Sequence, residues 1–270
     1  MQVIISTVGI SMQRNLGEDT SIKRKFQEFT RLPVKDTLEA EGYQELFKIL
    51  VQKAHHDPFD PTLFSAETNS LARMQVAKGD HLYFLATDSL AAKLCGEVLS
   101  EICQQKWGAK THVQVLKGLQ VADAKKFQEE GIRSLVLAVR RICEQYRKPG
   151  HPIVLNITGG YKAVVPYLTL LGLIEGIPVK YVYEEYGHDL IELPALPLDF
   201  DYSVLERLRQ DFHPNTIARL TREGAFEDDL CFIANLTHQE LVERYRKVFV
   251  WEGNRVKLSS LARLILERES

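Results

Sequence analysis

Residues 156–163 read NITGGYKA, between an apolar run that starts at Ile153 and a second apolar stretch. Paired glycines let a backbone turn tightly, take positive φ and come close to a ligand. The segment after them has helical spacing, and a helix start offers free N–H groups and a partial positive charge to an anion. Lys162 adds a full charge at that end. Asn156 and Thr158 carry an amide and a hydroxyl able to read a sugar or a base edge. The chemistry of such a turn is phosphate binding. A structural strand–helix turn with a solvated lysine is the competing reading, and the turn alone does not separate the two.

Two more polar clusters follow apolar runs: STVGIS (6–11) and ATDS (86–89). Ligands of open α/β sheets sit outside the carboxyl ends of the strands, so three clusters at three strand ends point to one site. Plainer roles exist for each residue. Thr7 and Ser11 fit turn caps, Asp88 fits the cap of a helix near Ser89, and Glu67 in SAETNS fits a first-turn helix acid.

Other motifs fail. A P-loop needs GxxxxGK followed by a hydroxyl residue. Here Lys162 is followed by Ala163, and no earlier glycine has the required spacing. The dinucleotide fingerprint GxGxxG is missing after the first strand, where Gly9 stands alone. His55-His56-Asp57 is a weak metal trio. Arg207 and His213 match the loose R-x5-H spacing of a HEPN ribonuclease motif, but Pro214 pushes His213 out of the helical region. None of the four cysteines forms a CxxC pair, so buried free thiols are expected.

The elements that position these clusters alternate. Strands are expected at residues 1–8, 81–87, 111–116, from Pro152, from Pro178 and from His188. Helices are expected over 37–54, from about Ala66, after Ser89, over 125–148 and from Tyr161. That alternation predicts a Rossmann-like α/β fold with a doubly wound, mainly parallel sheet over residues 1–198. From Asp199 the pattern changes to helices and a short hairpin with EGN at its turn. A small winged-helix-like domain is expected over 199–270.

Composition bounds the function. A net charge of −2 gives no global basic field for duplex nucleic acid or membrane. Any nucleotide must be held by a local patch. No apolar run is long enough to span a bilayer, and MQVIISTVGIS reads as a first strand rather than a signal peptide. The cytoplasm is the expected location.

With these residues assembled, the chain resembles the CARF family, the CRISPR-associated Rossmann-fold sensors of type III systems, and in particular its APE-type subgroup. The matching stretches are STVGIS, LFSAETNSL, LYFLATDS, LKGLQVADAKKFQEEGI, NITGGYKA and YEEYGHDLIELPALPLDF. The resemblance implies a homodimer with a pocket across its twofold axis and a cyclic oligoadenylate as ligand, most often cyclic tetra-adenylate. It implies ligand contacts from Thr7, Gly9 and Ser11 and from Asn156, Thr158, Gly159, Gly160, Tyr161 and Lys162. Thr87 and Asp88 would edge the pocket. No cofactor and no metal is expected.

Some relatives cleave the ring without metal. Their chemistry implies Ser11 as the group orienting a ribose 2′-hydroxyl and Lys162 as the cation stabilising the phosphorane. Many relatives carry an effector nuclease after a winged helix. The expected activity is sensing with ring cleavage. The alternatives are a cyclic-nucleotide-responsive regulator whose winged unit binds duplex DNA, and the sensor part of a longer effector.

Overall fold

The computed structural model describes residues 1–34, 42–55, 58–119, 124–148, 150–183, 189–193, 203–259, 262–263 and 266. The chain divides into two compact units, Met1–Leu198 and Asp199–Ser270.

The first unit is built on a six-stranded sheet: β1 Val3–Val8, β2 His81–Thr87, β3 Lys110–Leu116, β4 Ile153–Asn156, β5 Val179–Val182 and β6 Leu190–Leu193. Its order is β3-β2-β1-β4-β5-β6, parallel except for β6. All six residues of β1 are buried, as expected of a parallel strand covered on both faces. Of the turn EYGHD expected between β5 and β6, all but Asp189 lies outside the described residues.

The helices are α1 Thr20–Phe29, α2 Tyr43–Ala54, the single turn α3 Pro61–Phe64, α4 Ala66–Arg73, α5 Leu90–Trp107, the short α6 Ala124–Lys126, α7 Ile132–Arg147 and α8 Val165–Glu175. A π-helical turn, Phe127–Gly131, joins α6 to α7. The spacing of apolar residues predicts no element over residues 21–29. They form a helix because the Asp19 carboxylate accepts from the Ser21 and Ile22 amides at its start and because Phe26 and Phe29 are buried on one face. Ile4, Val8, Leu82, Phe84 and Ala86 share one core with α1, α2, α4 and α5. From β2 the alternate residue Tyr83 reaches Tyr146 of α7, so that face is covered by a different helix.

This strand order fixes where a ligand can enter. Winding runs one way from β1 to β2 and β3, and the other way from β1 to β4 and β5. The reversal lies between β1 and β4, the topological switch point at which such sheets open a crevice at their carboxyl ends. STVGIS and NITGGYKA leave those two strands. The ATDS cluster leaves β2, one strand away.

The second unit has α9 Ser203–Asp211, α10 Pro214–Arg222, β7 Ala225–Phe226, α11 Glu227–Ala234, α12 His238–Tyr245, β8 Phe249–Glu252 and β9 Arg255–Leu258. Its sheet order is β7-β9-β8, all antiparallel. Helix, strand, helix–turn–helix and hairpin in that order make a winged-helix-like unit. Its core includes Leu208, Phe212, Leu220, Leu241, Tyr245 and Val256. The hairpin turns at Gly253, whose φ of 65° is glycine's region. His213 is extended, at φ −61° and ψ 148°, and its ring accepts from the Asn215 amide as the cap of α10. A HEPN histidine would sit inside a helix.

All four cysteines are buried free thiols. Among the described residues no helix is long and apolar enough to cross a membrane.

Candidate ligand site at the sheet switch point

Burying polar groups is costly unless each is hydrogen-bonded. Among the described residues, the buried polar and charged ones are Ser6, Thr7, Ser65, Glu67, Thr68, Asn69, Ser70, Asn156, Thr158 and, apart from these, Asp80. All but Asp80 belong to β1, to α4 with its cap, or to β4 and the segment leaving it. The fold therefore concentrates its buried polarity behind the switch point.

The network starts from register. Ser6 of β1 stands beside Asn156 of β4. Asn156 Nδ2 donates to Ser6 Oγ at 3.0 Å and to Ser70 Oγ at 2.8 Å. Its Oδ1 accepts from the Thr158 hydroxyl at 2.8 Å and the Thr158 amide at 3.3 Å. Thr158 Oγ1 in turn accepts from the Val182 amide at 3.0 Å. Asn156 and Thr158, expected to face a sugar or base, are turned inward instead. They tie β1, α4 and β5 to the glycine turn.

The glycines are explained by the same packing. Gly160 has φ 96°, and a Cβ there would lie 2.7 Å from Thr7 Cβ. A Cβ on Gly9 would lie 2.8 Å from the Gly160 nitrogen, and one on Gly159 would lie 2.0 Å from Glu67 Oε1. Thr7 Oγ1 donates to the Gly159 carbonyl. The space left by the missing side chains is thus filled by other loops of the protein, not kept open for a ligand. The glycine pair still sets the turn, by letting three chain segments meet.

Ser11 opens a 3-10 turn, Ser11–Leu16. Its Oγ accepts from the Ala66 amide at 3.2 Å, which satisfies one free N–H at the start of α4 and leaves the hydroxyl proton to donate elsewhere. Tyr161 is partly buried, its ring edge-on to Phe127 at 5.6 Å. Lys162 is exposed and begins a 3-10 turn, Lys162–Val164, before α8 starts at Val165. The α-helix therefore starts four residues later than the sequence suggests, with Pro166 in its first turn. The 3-10 turn thus sets the macrodipole end back from the glycines, and Pro166 offers no N–H there.

Thr87 and Asp88 point to a different neighbourhood. Asp88 Oδ2 accepts from the Gly118 amide at 3.3 Å, and its own amide donates to the Leu119 carbonyl at 3.2 Å. The helix cap expected of Asp88 is made by Ser89, whose hydroxyl accepts from the Ala92 amide. The structure thus brings Thr7, Gly9, Asn156, Thr158, Gly159 and Gly160 into one bonded and packed set. Ser11 joins that set through α4, and Tyr161 and Lys162 follow it in the chain. Asp88 is bonded to the segment after β3, and Thr87 pairs with Leu116 at the end of that strand.

Glu67 is the residue whose part the sequence reading understated. It has no exposed surface, and its Oε1 accepts the Gly9 amide at 2.7 Å. The structure buries six of the eight residues of α4, although SAETNSL is largely polar. Burial, and then the Glu67 charge, push the Cys95 and Cys103 thiols well up, so neither is poised as a nucleophile. Among the described residues no group of three or more His, Cys, Asp and Glu side chains is placed to share a metal ion. His56 and Asp57 of the weak metal trio lie outside those residues.

With this geometry in hand, two comparisons bear on the chain. A family model described as CRISPR-associated protein (Cas_APE2256) matches residues 62–196, half of the 270 residues. The match takes in α4, β2 to β6 and the glycine turn. A solved structure of Enterococcus italicus Csm6 bound to cyclic hexa-2'-fluoro-hexa-dAMP is similar over 92% of this chain and 49% of that one, at 12% identity and a TM-score of 0.40. The chain spans about half the length of that protein.

Proposed function

From the premise that the chain belongs to the CRISPR-associated Cas_APE2256 family, we propose that residues 1–198 form a sensor of cyclic oligoadenylate, with cyclic tetra-adenylate as the favoured ring. One observation carries the reading. Nearly all the buried polarity of the described residues lies behind the β1–β4 switch point, beneath a turn that ends in the exposed Lys162. A fold gains nothing in stability from placing polar groups there when apolar ones would pack as well. The arrangement makes sense as a rigid floor for an anion held at the rim.

The sensor acts as a homodimer. A ring with twofold symmetry then meets two copies of each glycine turn, each Lys162 facing an equivalent phosphate. This supplies local charge on a chain whose net charge is −2. Ring cleavage follows from positioning alone. A 2′-hydroxyl oxygen bonds to its own phosphorus, the bond from phosphorus to the 5′-oxygen breaks, and the hydroxyl proton passes through solvent to that oxygen. The products are a 2′,3′-cyclic phosphate and a 5′-hydroxyl. Ser11 orients the attacking hydroxyl, and Lys162 stabilises the charge on the phosphorane. Neither residue is a strong base, so turnover is slow.

The test is incubation of the purified chain with cyclic tri-, tetra- and hexa-adenylate in EDTA, with products resolved by chromatography. Conversion of one ring to linear cyclic-phosphate product, lost in Lys162→Ala, supports sensing with cleavage. Tight binding without turnover leaves a sensor. Failure to bind any ring overturns the proposal.

The winged-helix-like topology favours a second reading, a ligand-responsive regulator that binds duplex DNA. Charge argues against it. Helix α12 and the turn after it carry Arg244, Arg246 and Lys247, but Glu240 and Glu243 share that segment, and Arg244 is paired with Asp211 at 2.8 Å. A mobility shift with duplex DNA at low salt that weakens as salt rises would support this reading; no shift at low salt would remove it.

A further inference from the structure

Taking the switch-point site as a cyclic-oligoadenylate pocket leaves one buried charge unassigned. Glu67 sits in the first turn of α4 with no exposed surface. Its Oε1 accepts the Gly9 amide at 2.7 Å. The same oxygen lies 2.0 Å from where a Cβ on Gly159 would stand, and Glu67 Cδ lies 2.4 Å from that point. One carboxylate therefore binds the loop after β1 and fills the side-chain space of the turn after β4. Burying a carboxylate costs several kcal/mol unless local dipoles replace water. The start of α4 and the Gly9 amide supply such dipoles. A methionine or leucine would fill the space at lower cost but could accept no hydrogen bond from Gly9.

We propose that Glu67 is a positioning residue, which locks the loop after β1 to the glycine turn so that Ser11 and Lys162 address the same ring. The Gly9 amide is then an anchor for Glu67 and not a donor to phosphate. This role rests on the ring-binding reading, so its test carries one measurement that needs no ring.

The full chain is compared as wild type, Glu67→Gln, Glu67→Ala, Gly159→Ala and the double variant Glu67→Ala/Gly159→Ala. Affinity for cyclic tetra-adenylate is read by calorimetry, and amide hydrogen exchange at Gly9 and residues 159–161 is read without ligand. Glu67→Gln keeps an acceptor for Gly9 and stays within about threefold of wild type. Glu67→Ala and Gly159→Ala each lose about tenfold or more. The double variant is no worse than the worse single, because both changes act on one contact. Without ligand, Glu67→Ala raises exchange at Gly9 and at 159–161 together, while β2 is unchanged. Should Glu67→Ala fail to fold, Glu67→Asp, which withdraws the acceptor by one methylene, takes its place and behaves like Ala.

Wild-type affinity in Glu67→Ala, losses that multiply in the double variant, or faster exchange confined to Gly9 would each overturn the positioning role. A wild type that binds no ring would overturn the ring-binding reading instead, and the exchange measurement would still decide whether Glu67 couples the two loops.

Discussion

The two ends of the central sheet solve the same problem in different ways. At the carboxyl ends of β1 and β4, buried hydroxyls, an amide and a carboxylate bond mostly to one another and to backbone, across three segments distant in sequence. At the amino ends, rings do the work. Tyr83 stacks on His112 at 4.5 Å, its hydroxyl meets that of Tyr146 at 2.9 Å, and Tyr146 meets His81 Nδ1 at 2.7 Å. Short side chains that bond to backbone fix loops. Rings that stack and titrate fix a helix to strands and leave a dependence on pH. Only the first arrangement lies beneath the glycine turn.

The largest effect expected from breaking this contrast is at the centre of the first network. Asn156→Ala removes the donor to the Ser6 and Ser70 hydroxyls and the acceptor of the Thr158 hydroxyl and amide, and urea denaturation is expected to show a loss of about 3 kcal/mol. Lys162→Ala separates ligand from floor. Its ring affinity or turnover is expected to fall about a hundredfold, about 2.7 kcal/mol. Its stability stays within about 0.5 kcal/mol of wild type, because the side chain is exposed. Gly160→Ala places a Cβ against Thr7 at a φ of 96° and is expected to cost about 2 kcal/mol in the same denaturation assay.

The smallest effect sharpens the other end. Burial first, then the charges of Lys110, His112 and His151, lower the His81 pKa from its ordinary 6.5 against the opposing pull of Asp80. The folded state thus binds that proton less readily than the unfolded state does. Stability is full above about pH 6.5 and falls as pH drops through the folded-state pKa. Thermal melts at about pH 7.5 and about pH 5.5 are expected to differ by a few degrees more in wild type than in His81→Asn. Ring affinity measured per folded molecule should not follow this difference. If it does, the two ends are not independent.

Much of this was legible in the sequence, for definable reasons. Strand β2 at His81–Thr87 matches the expected run because an apolar segment ended by Thr-Asp-Ser has a clear boundary. The α/β alternation and the winged-helix-like arrangement followed from periodicity, which is a local property. The directions of Asn156 and Thr158 were not legible. Their residue types suit a ligand, but a strand covered on both faces has no outward side on which to present them. The contacts of Glu67 are with Gly9 and Gly159, from segments far away in the chain, and no local pattern marks such a meeting. Helix α1 was missed because its stripe of buried residues is short and its sequence, TSIKRKFQEF, is largely polar.

The interlock of Gly9, Gly159 and Gly160 has a consequence for how this protein can change over generations. Each position is glycine because an atom from a distant segment stands where a side chain would begin. A substitution at one of them is therefore judged by residues some 60 to 150 positions away. A smaller partner at Glu67 could admit a side chain at Gly159, but Gly9 faces backbone and Gly160 holds a φ of 96°, so no exchange elsewhere frees those two and the loops stay bound to each other although the chain writes them far apart.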